Sequence, residues 1–280
     1  MSDTSGPVYG SLAGQRGLVI GGSRGIGRAI SLRLAREGVH LTLTYARSEE
    51  AAEATAAECR AFGVESTAMR ADVGKPEELR TLFEELEAWT PGDGPTGLDI
   101  VVNNAARGLE RPRPAIDQRP GHLHRTMDVN LFGPWTATQL ALPLMESRGG
   151  GAVVNLLSPG ADHYMPDYAA VGVSKAALKS LTMYLAAELA PLGVRVNGVS
   201  AGWVEGSEGD RAYKADISNR VRPHVPAGRN VAPEDIAATV AWLCSDEAPM
   251  MIGQTLYLDG GFGDSAWRAV LEDPPAAGDA

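Results

Sequence analysis

The stretch Leu18-Val19-Ile20-Gly21-Gly22-Ser23-Arg24-Gly25-Ile26-Gly27-Arg28-Ala29-Ile30 decides the fold. An apolar strand runs into a glycine-rich turn, and the turn runs into a helix. Glycine lets the backbone approach a pyrophosphate and lets a helix start close beside the strand. The helix N-terminus then presents free N–H groups and the positive end of its dipole to phosphate. The G-x-x-x-G-x-G spacing has Gly21, Gly25 and Gly27 as its members, with Ser23, Arg24 and Ile26 between them. A lone glycine pattern is weak, because many such turns hold no ligand. Here the flanking strand and helix supply the required context.

Outward from this turn, strand-like and helical patterns alternate. Apolar runs at Gly17–Ile20, Val39–Thr44, Val64–Met69, Leu98–Val102, Ala152–Leu157, Val194–Val199 and Thr255–Leu258 read as strands. Helical patterns lie at Gly25–Glu37, Glu49–Phe62, Pro76–Ala88, His124–Met145, Asp167–Ala190 and Pro233–Cys244. Pro76 and Pro233 each precede acidic residues, a helix-start signature. This order predicts an α/β fold, a single doubly wound domain with a parallel seven-stranded sheet flanked by helices. Residues 1–13 read as a flexible N-terminal segment, 14–262 as the domain and 263–280 as a C-terminal tail. The segments 90–97, 107–121 and 203–222 read as mobile loops, the last as a substrate loop.

The chain has 280 residues, 44% of them apolar, enough for one sizeable core. A net charge of −10 and a pI near 5.0 argue against nucleic acid as partner. Cys59 and Cys244 suggest no disulfide framework and read as packed, inert thiols. The polar start, Met1 to Gly10, lacks the basic and apolar regions of a signal peptide, and no apolar run is long enough to span a membrane. A cytoplasmic protein is expected. His122 and His124 join no ligand-like cluster and read as surface residues, so no metal site is expected.

Ligands of such sheets bind beyond the carboxyl ends of the strands. Tracing those ends gives 21–27, 45–48, Asp72-Val73, 103–106, Ser158 and 200–204. Near them stands Tyr168-Ala169-Ala170-Val171-Gly172-Val173-Ser174-Lys175. On a helix the seven positions from Tyr168 to Lys175 are two turns, so both side chains share a face. A phenol beside an ammonium is an acid that can donate to a developing oxyanion. Taken alone, the pair would more often be two residues of an amphipathic helix. On the rim it is a candidate site.

The glycine turn, Asp72-Val73, Asn103-Asn104-Ala105-Ala106, Asn130, Ser158, Tyr168, Lys175 and Asp259-Gly260-Gly261 together resemble the short-chain dehydrogenase/reductase superfamily over roughly residues 14–262. In detail the chain is most similar to the enoyl-thioester reductase branch, including enoyl-ACP reductases, whose signature is Tyr, six residues, Lys. Many related reductases carry their Tyr four before the Lys, where this chain has Val171. Other departures are Ile20 before the first Gly, Ala106 for a Gly, and Ser200-Ala201-Gly202 for a Pro-Gly turn. The last is expected to loosen the turn near the nicotinamide.

The resemblance implies a Rossmann fold and a nicotinamide cofactor held by Gly21, Ser23, Arg24, Gly25, Ile26, Gly27, Tyr45, Arg47, Ser48, Asp72, Val73, Asn103, Ala105, Lys175, Gly202 and Val204. NAD-specific members carry a carboxylate at the end of the second strand. Here that stretch is Leu43-Thr44-Tyr45-Ala46-Arg47-Ser48, with none until Glu49. Arg47, Ser48 and Arg24 suit a 2′-phosphate instead, at about 1.5–3 kcal/mol per charged hydrogen bond. NADPH is therefore the expected cofactor.

The expected reaction is reduction of the 2,3 double bond of a trans-2-enoyl thioester, carried by CoA or an acyl carrier protein, in fatty acid or polyketide metabolism. Hydride reaches the β-carbon, and charge develops on an oxygen farther from the nicotinamide than in ketone reduction. Moving the Tyr back three residues shifts it by about 4.5 Å along a helix. Tyr168 would stabilise the enolate, and Lys175 would bind ribose hydroxyls and lower the Tyr168 pKa. Ser158, ten residues before Tyr168, would assist it or orient substrate, or is simply a turn serine. Asn130 would hold a water or carbonyl near Lys175, stabilise a helix kink, or both. Tyr164, Trp203 and Tyr213, with Val204 and Ile217, are candidates to wall the acyl pocket, although a packed loop would look the same. Arg107, Arg111, Arg113 and Arg119 meet carrier phosphates or form a solvated loop.

Three other readings stay open. One is a reductase of an alicyclic enoyl-CoA such as 1-cyclohexenylcarbonyl-CoA. Another is a 3-ketoacyl thioester or other carbonyl reductase. The third is a non-catalytic NADP-binding sensor. The resemblance also implies a homotetramer or homodimer. Ala237, Ala238 and Ala241 permit close helix packing, either between subunits or inside one.

Overall fold

Seven parallel strands lie in the order β3-β2-β1-β4-β5-β6-β7. They are β1 Arg16–Ile20, β2 His40–Tyr45, β3 Ser66–Arg70, β4 Ile100–Asn103, β5 Gly151–Leu157, β6 Val194–Ala201 and β7 Thr255–Leu258. The helices are α1 Gly25–Arg36, α2 Glu49–Arg60, α3 Pro76–Ala88, α4 Pro120–Met127, α5 Gly133–Glu146, α6 Ala169–Leu189, α7 Ala212–Val221 and α8 Pro233–Cys244. This computed structural model describes residues 7–89, 91, 96–108, 113–206 and 212–265; the side chains of 212–216 are not among those described.

Strand alternation divides the core. Val19, Ile100, Val102 and Val154 face one side and pack with α1, α2 and α8. Leu18, Ile20, Val101 and Val153 face the other and pack with α3, α5 and α6. Both faces are covered, which is why the strands read as unbroken apolar runs. Each fully buried leucine, such as Leu34 or Leu82, contributes about 1.5–3 kcal/mol relative to exposure.

The strand order reverses between β1 and β4. That switch point opens a crevice beyond their carboxyl ends.

Several expectations need correction. Residues 7–13 are docked: the buried carboxylate of Glu37 accepts from the N–H groups of Val8 at 2.6 Å and Tyr9 at 2.7 Å. The helix expected at His124–Met145 starts at Pro120 and contains a π-helical turn, Asp128–Phe132, between α4 and α5. The expected loop 203–222 contains α7, and the expected loop 107–121 contains a short 3-10 turn at Ala115–Asp117. Cys59 and Cys244, by contrast, are packed as expected: both are buried and free, and burial pushes both thiols up to about 12. Ala237 and Ala241 are buried within the subunit, while Ala238 lines a surface groove with Trp242 and Tyr257. Among the described residues, no helix is long and apolar enough to cross a membrane. Residues 266–280 of the expected tail lie outside the described residues.

Candidate active site

β1 delivers the glycine turn to the crevice, and the turn is tightly built. Gly21 has φ of +79°, and a Cβ there would lie 2.9 Å from the Ala105 backbone. A Cβ at Gly27 would overlap the Gly21 carbonyl and come within 2.6 Å of Asn104 Nδ2. Asn104 Nδ2 donates to the Gly21 carbonyl at 2.8 Å, so the loop after β4 pins the turn after β1. Ser23 is held through its carbonyl, which accepts from Thr55 Oγ1 at 3.1 Å.

Arg24, Gly25 and Ile26 form the start of α1, with Arg24 and Gly25 exposed. At the end of β2, Tyr45 is half-buried, and Arg47 and Ser48 are exposed. Burial and the neighbouring Glu49 raise the Tyr45 pKa. Two exposed arginines, one in the glycine turn at the start of α1 and one after β2, fit a phosphorylated dinucleotide at a helix N-terminus.

Other expected cofactor residues are engaged differently. Asp72 Oδ1 accepts from the Gly74 N–H at 3.1 Å and shapes the turn into α3. The Val73 side chain is buried, 7% exposed, and belongs to the core cluster that contains Leu79 and Leu82. Asn103 turns inward: its Nδ2 donates to Asn155 Oδ1 at 2.8 Å, and Asn155 Nδ2 donates to Thr182 Oγ1 at 2.9 Å. Ala105 packs against Gly21. The turn after β6 is not loosened. β6 runs on to Ala201, and the Gly202 N–H donates to the Leu258 carbonyl at 2.8 Å. Val204 is buried and bridges to Val231.

At the other side of the crevice, Ser158 follows β5 and its Oγ lies 3.2 Å from the Tyr168 hydroxyl. Tyr168 is the N-cap of α6, not a residue of its first turn. Asp167 before it adopts a left-handed conformation with φ of 60°, which turns the chain into the helix. Val171 is buried on α6. Lys175 is also buried, and its Nζ donates to the Leu156 carbonyl at 2.6 Å.

The expected lowering of the Tyr168 pKa by Lys175 is not what the structure contains. Burial raises it, and the hydrogen bond with Ser158 offsets that rise in part. Burial likewise lowers Lys175 to about 8.

Asn130 sits in the π turn, a distortion often found at functional sites. Its Oδ1 accepts from the Arg107 N–H at 2.7 Å, and its Nδ2 donates to the Arg107 carbonyl at 3.2 Å and to Ser174 Oγ at 2.9 Å. It thus ties the loop after β4 to the helix residue beside Lys175, rather than to Lys175 itself.

The proposed pocket walls are only partly gathered. Tyr164 is 90% exposed. Trp203 is half-buried, and its carbonyl accepts from the Val231 N–H at 3.0 Å. The side chain of Tyr213 and the whole of Arg111 lie outside the described residues. Arg113 and Arg119 are exposed, and Arg107 is half-buried. His124 is exposed, but His122 is half-buried, with Nδ1 3.0 Å from Gln118 Oε1. Sequence reasoning missed the Asn155–Thr182 link; a lone Asn inside the apolar strand Val153–Leu157 was its only local sign.

A family model described as enoyl-(acyl carrier protein) reductase matches residues 20–263. Among curated proteins the chain is similar to 3-oxoacyl-acyl-carrier-protein reductase FabG of Staphylococcus aureus, 36% identical over 244 residues that span 87% of this chain and 96% of that protein. It is also similar to 1-cyclohexenylcarbonyl-CoA reductase of Streptomyces collinus, 36% identical over 250 residues that span 88% of this chain and 86% of that protein. A solved gluconate 5-dehydrogenase of Burkholderia cenocepacia, in complex with NADP and tartrate, matches with a TM-score of 0.81 at 30% identity, covering 91% of this chain and 98% of that one.

Proposed function

The chain belongs to the short-chain dehydrogenase/reductase superfamily and is an oxidoreductase; from that premise we propose that it uses NADPH to reduce the 2,3 double bond of a trans-2-enoyl thioester. The observation that carries this reading is the seat of the acid. Tyr168 caps α6 seven residues before Lys175, and the seat one turn before the lysine is filled by buried Val171, which has no proton to give. An acid set back along the helix suits an oxygen two carbons removed from the carbon that receives hydride. NADPH is supported by Arg24 and Arg47 beside the glycine cradle, and by the NADP bound to the gluconate 5-dehydrogenase.

Bound NADPH supplies the hydride. Tyr168 donates a hydrogen bond to the thioester oxygen as negative charge gathers there. Its raised pKa keeps the phenol protonated at neutral pH. Ser158 orients that hydroxyl from 3.2 Å. Lys175, as the ammonium braced on the Leu156 carbonyl, would hold the nicotinamide ribose hydroxyls.

A second reading, reduction of the ketone of a 3-oxoacyl thioester, is favoured by the similarity to the 3-oxoacyl-acyl-carrier-protein reductase of Staphylococcus aureus and by the Ser158–Tyr168 pair. Two hydroxyls so placed can grip a ketone oxygen equally well. Relatives lean to this reading, and the seat of Tyr168 leans to the first.

NADPH oxidation with crotonyl-CoA, 1-cyclohexenylcarbonyl-CoA and acetoacetyl-CoA side by side decides between them. Double-bond reduction requires turnover of an enoyl thioester, reduced about 10²-fold or more in Tyr168→Phe. Turnover of acetoacetyl-CoA alone selects the ketone.

A further inference from the structure

Three side chains close a ring that includes Asp162, in the segment between Ser158 and Tyr168. Lys179, one turn beyond Lys175 on α6, pairs with Asp162 Oδ1 and donates to the Tyr257 hydroxyl at 2.7 Å. The Tyr257 hydroxyl donates to Asp162 Oδ2 at 2.9 Å. The Lys179 ammonium also lies 5.4 Å from the centre of the Tyr257 ring. The ring joins three separate parts of the fold: α6, the edge strand β7, and the segment between β5 and α6.

That last segment carries Ser158 at one end and Tyr168 at the other. Its own backbone supplies short-range turns, such as Ala161 N–H to Ser158 and Tyr168 N–H to Met165. Asp162 fastens it to other elements through its side chain. The segment also contains the left-handed Asp167, a conformation that persists only where the surroundings hold it. Lys179 and Asp162 are only 27% and 25% exposed, so their pairing is less screened than that of a surface ion pair. Burial pushes the Asp162 carboxyl up, but the hydrogen bonds from Lys179 and Tyr257 outweigh it and hold it below the usual carboxylate range.

We infer that Asp162, Lys179 and Tyr257 are positioning residues: their ring holds the 159–168 segment so that the Tyr168 hydroxyl stays on Ser158 and aimed into the crevice. None of the three touches the reacting atoms. This inference rests on Tyr168 as the acid. Loss of the ring lets the segment relax around Asp167 and misplaces the phenol, and misplacement by about 1 Å costs up to about 10²-fold in rate.

The test compares Asp162→Asn, Lys179→Met and Tyr257→Phe with the swap Asp162→Lys/Lys179→Asp, using the acyl thioester that the wild type turns over. Each single variant is expected to lower kcat about 10-fold or more while the KM for NADPH moves by less than about twofold. The swap is expected to recover most of the loss. Amide exchange is expected to quicken at 159–168 and not in the glycine turn.

Unchanged kcat in all three single variants overturns the inference, as does a parallel loss of NADPH binding. Exchange separates this inference from the assignment of Tyr168. If Tyr168→Phe keeps full activity, the acid assignment falls. Unchanged exchange at 159–168 sinks the ring as an anchor whatever Tyr168 does.

Discussion

Lys175 is held where a charge is costly. Burial brings its pKa from an ordinary 10.5 down to about 8. Between those values the unfolded chain binds a proton that the folded chain does not, so this group's contribution to stability rises with pH across that window and is lost as pH falls through about 8. Lys175→Met is therefore expected to abolish turnover yet raise Tm at about pH 7, with its advantage over wild type shrinking toward about pH 10. Melting curves of both proteins across that range check it; a variant less stable at neutral pH contradicts the burial argument. The meeting of Ser158 with Tyr168 was legible because their spacing is local. The state of Tyr168 was not, because its pKa depends on what covers the ring rather than on which residues neighbour it in sequence.

Strands and helices were legible where one period dominates. The runs in β1, β4 and β5 admit no other reading, and Pro76 and Pro233 marked two helix starts to the residue. The misses have local causes. α4 begins at Pro120, an N1 proline that the surrounding Gly and His residues disguised. The π turn leaves no periodic trace, since one extra residue per turn merely shifts the apolar face. α7 follows a polar, glycine-rich stretch whose composition resembles a loop. The tightest junction is that between β1 and α1. Gly27→Ala would drive a methyl into the Gly21 carbonyl and against Asn104. It is expected to cost about 1–3 kcal/mol in stability and to weaken NADPH binding more than about tenfold. Fluorescence titration and denaturant melts measure the two effects; binding within about twofold of wild type would show that the turn can yield.

The whole sheet was legible in strand number, direction and flanking layers, but the docked N-terminal segment was not. Glu37 gave no hint that its buried carboxylate receives the Val8 and Tyr9 amides, because that contact spans 29 and 28 residues. Removing residues 1–9 strips a buried charge of two donors. It is expected to lower stability by about 1–3 kcal/mol with kcat/KM unchanged. A shift of the urea midpoint at constant m-value records it, and an unshifted midpoint would mean that water replaces both amides. The ring of Asp162, Lys179 and Tyr257 has a consequence in time as well as space. Its first two members lie in the middle of the chain, whereas Tyr257 belongs to the last strand of the sheet. During synthesis, Tyr168 leaves the ribosome about ninety positions before Tyr257, so on the proposed assignment a growing chain holds its acid without that anchor until the final strand docks.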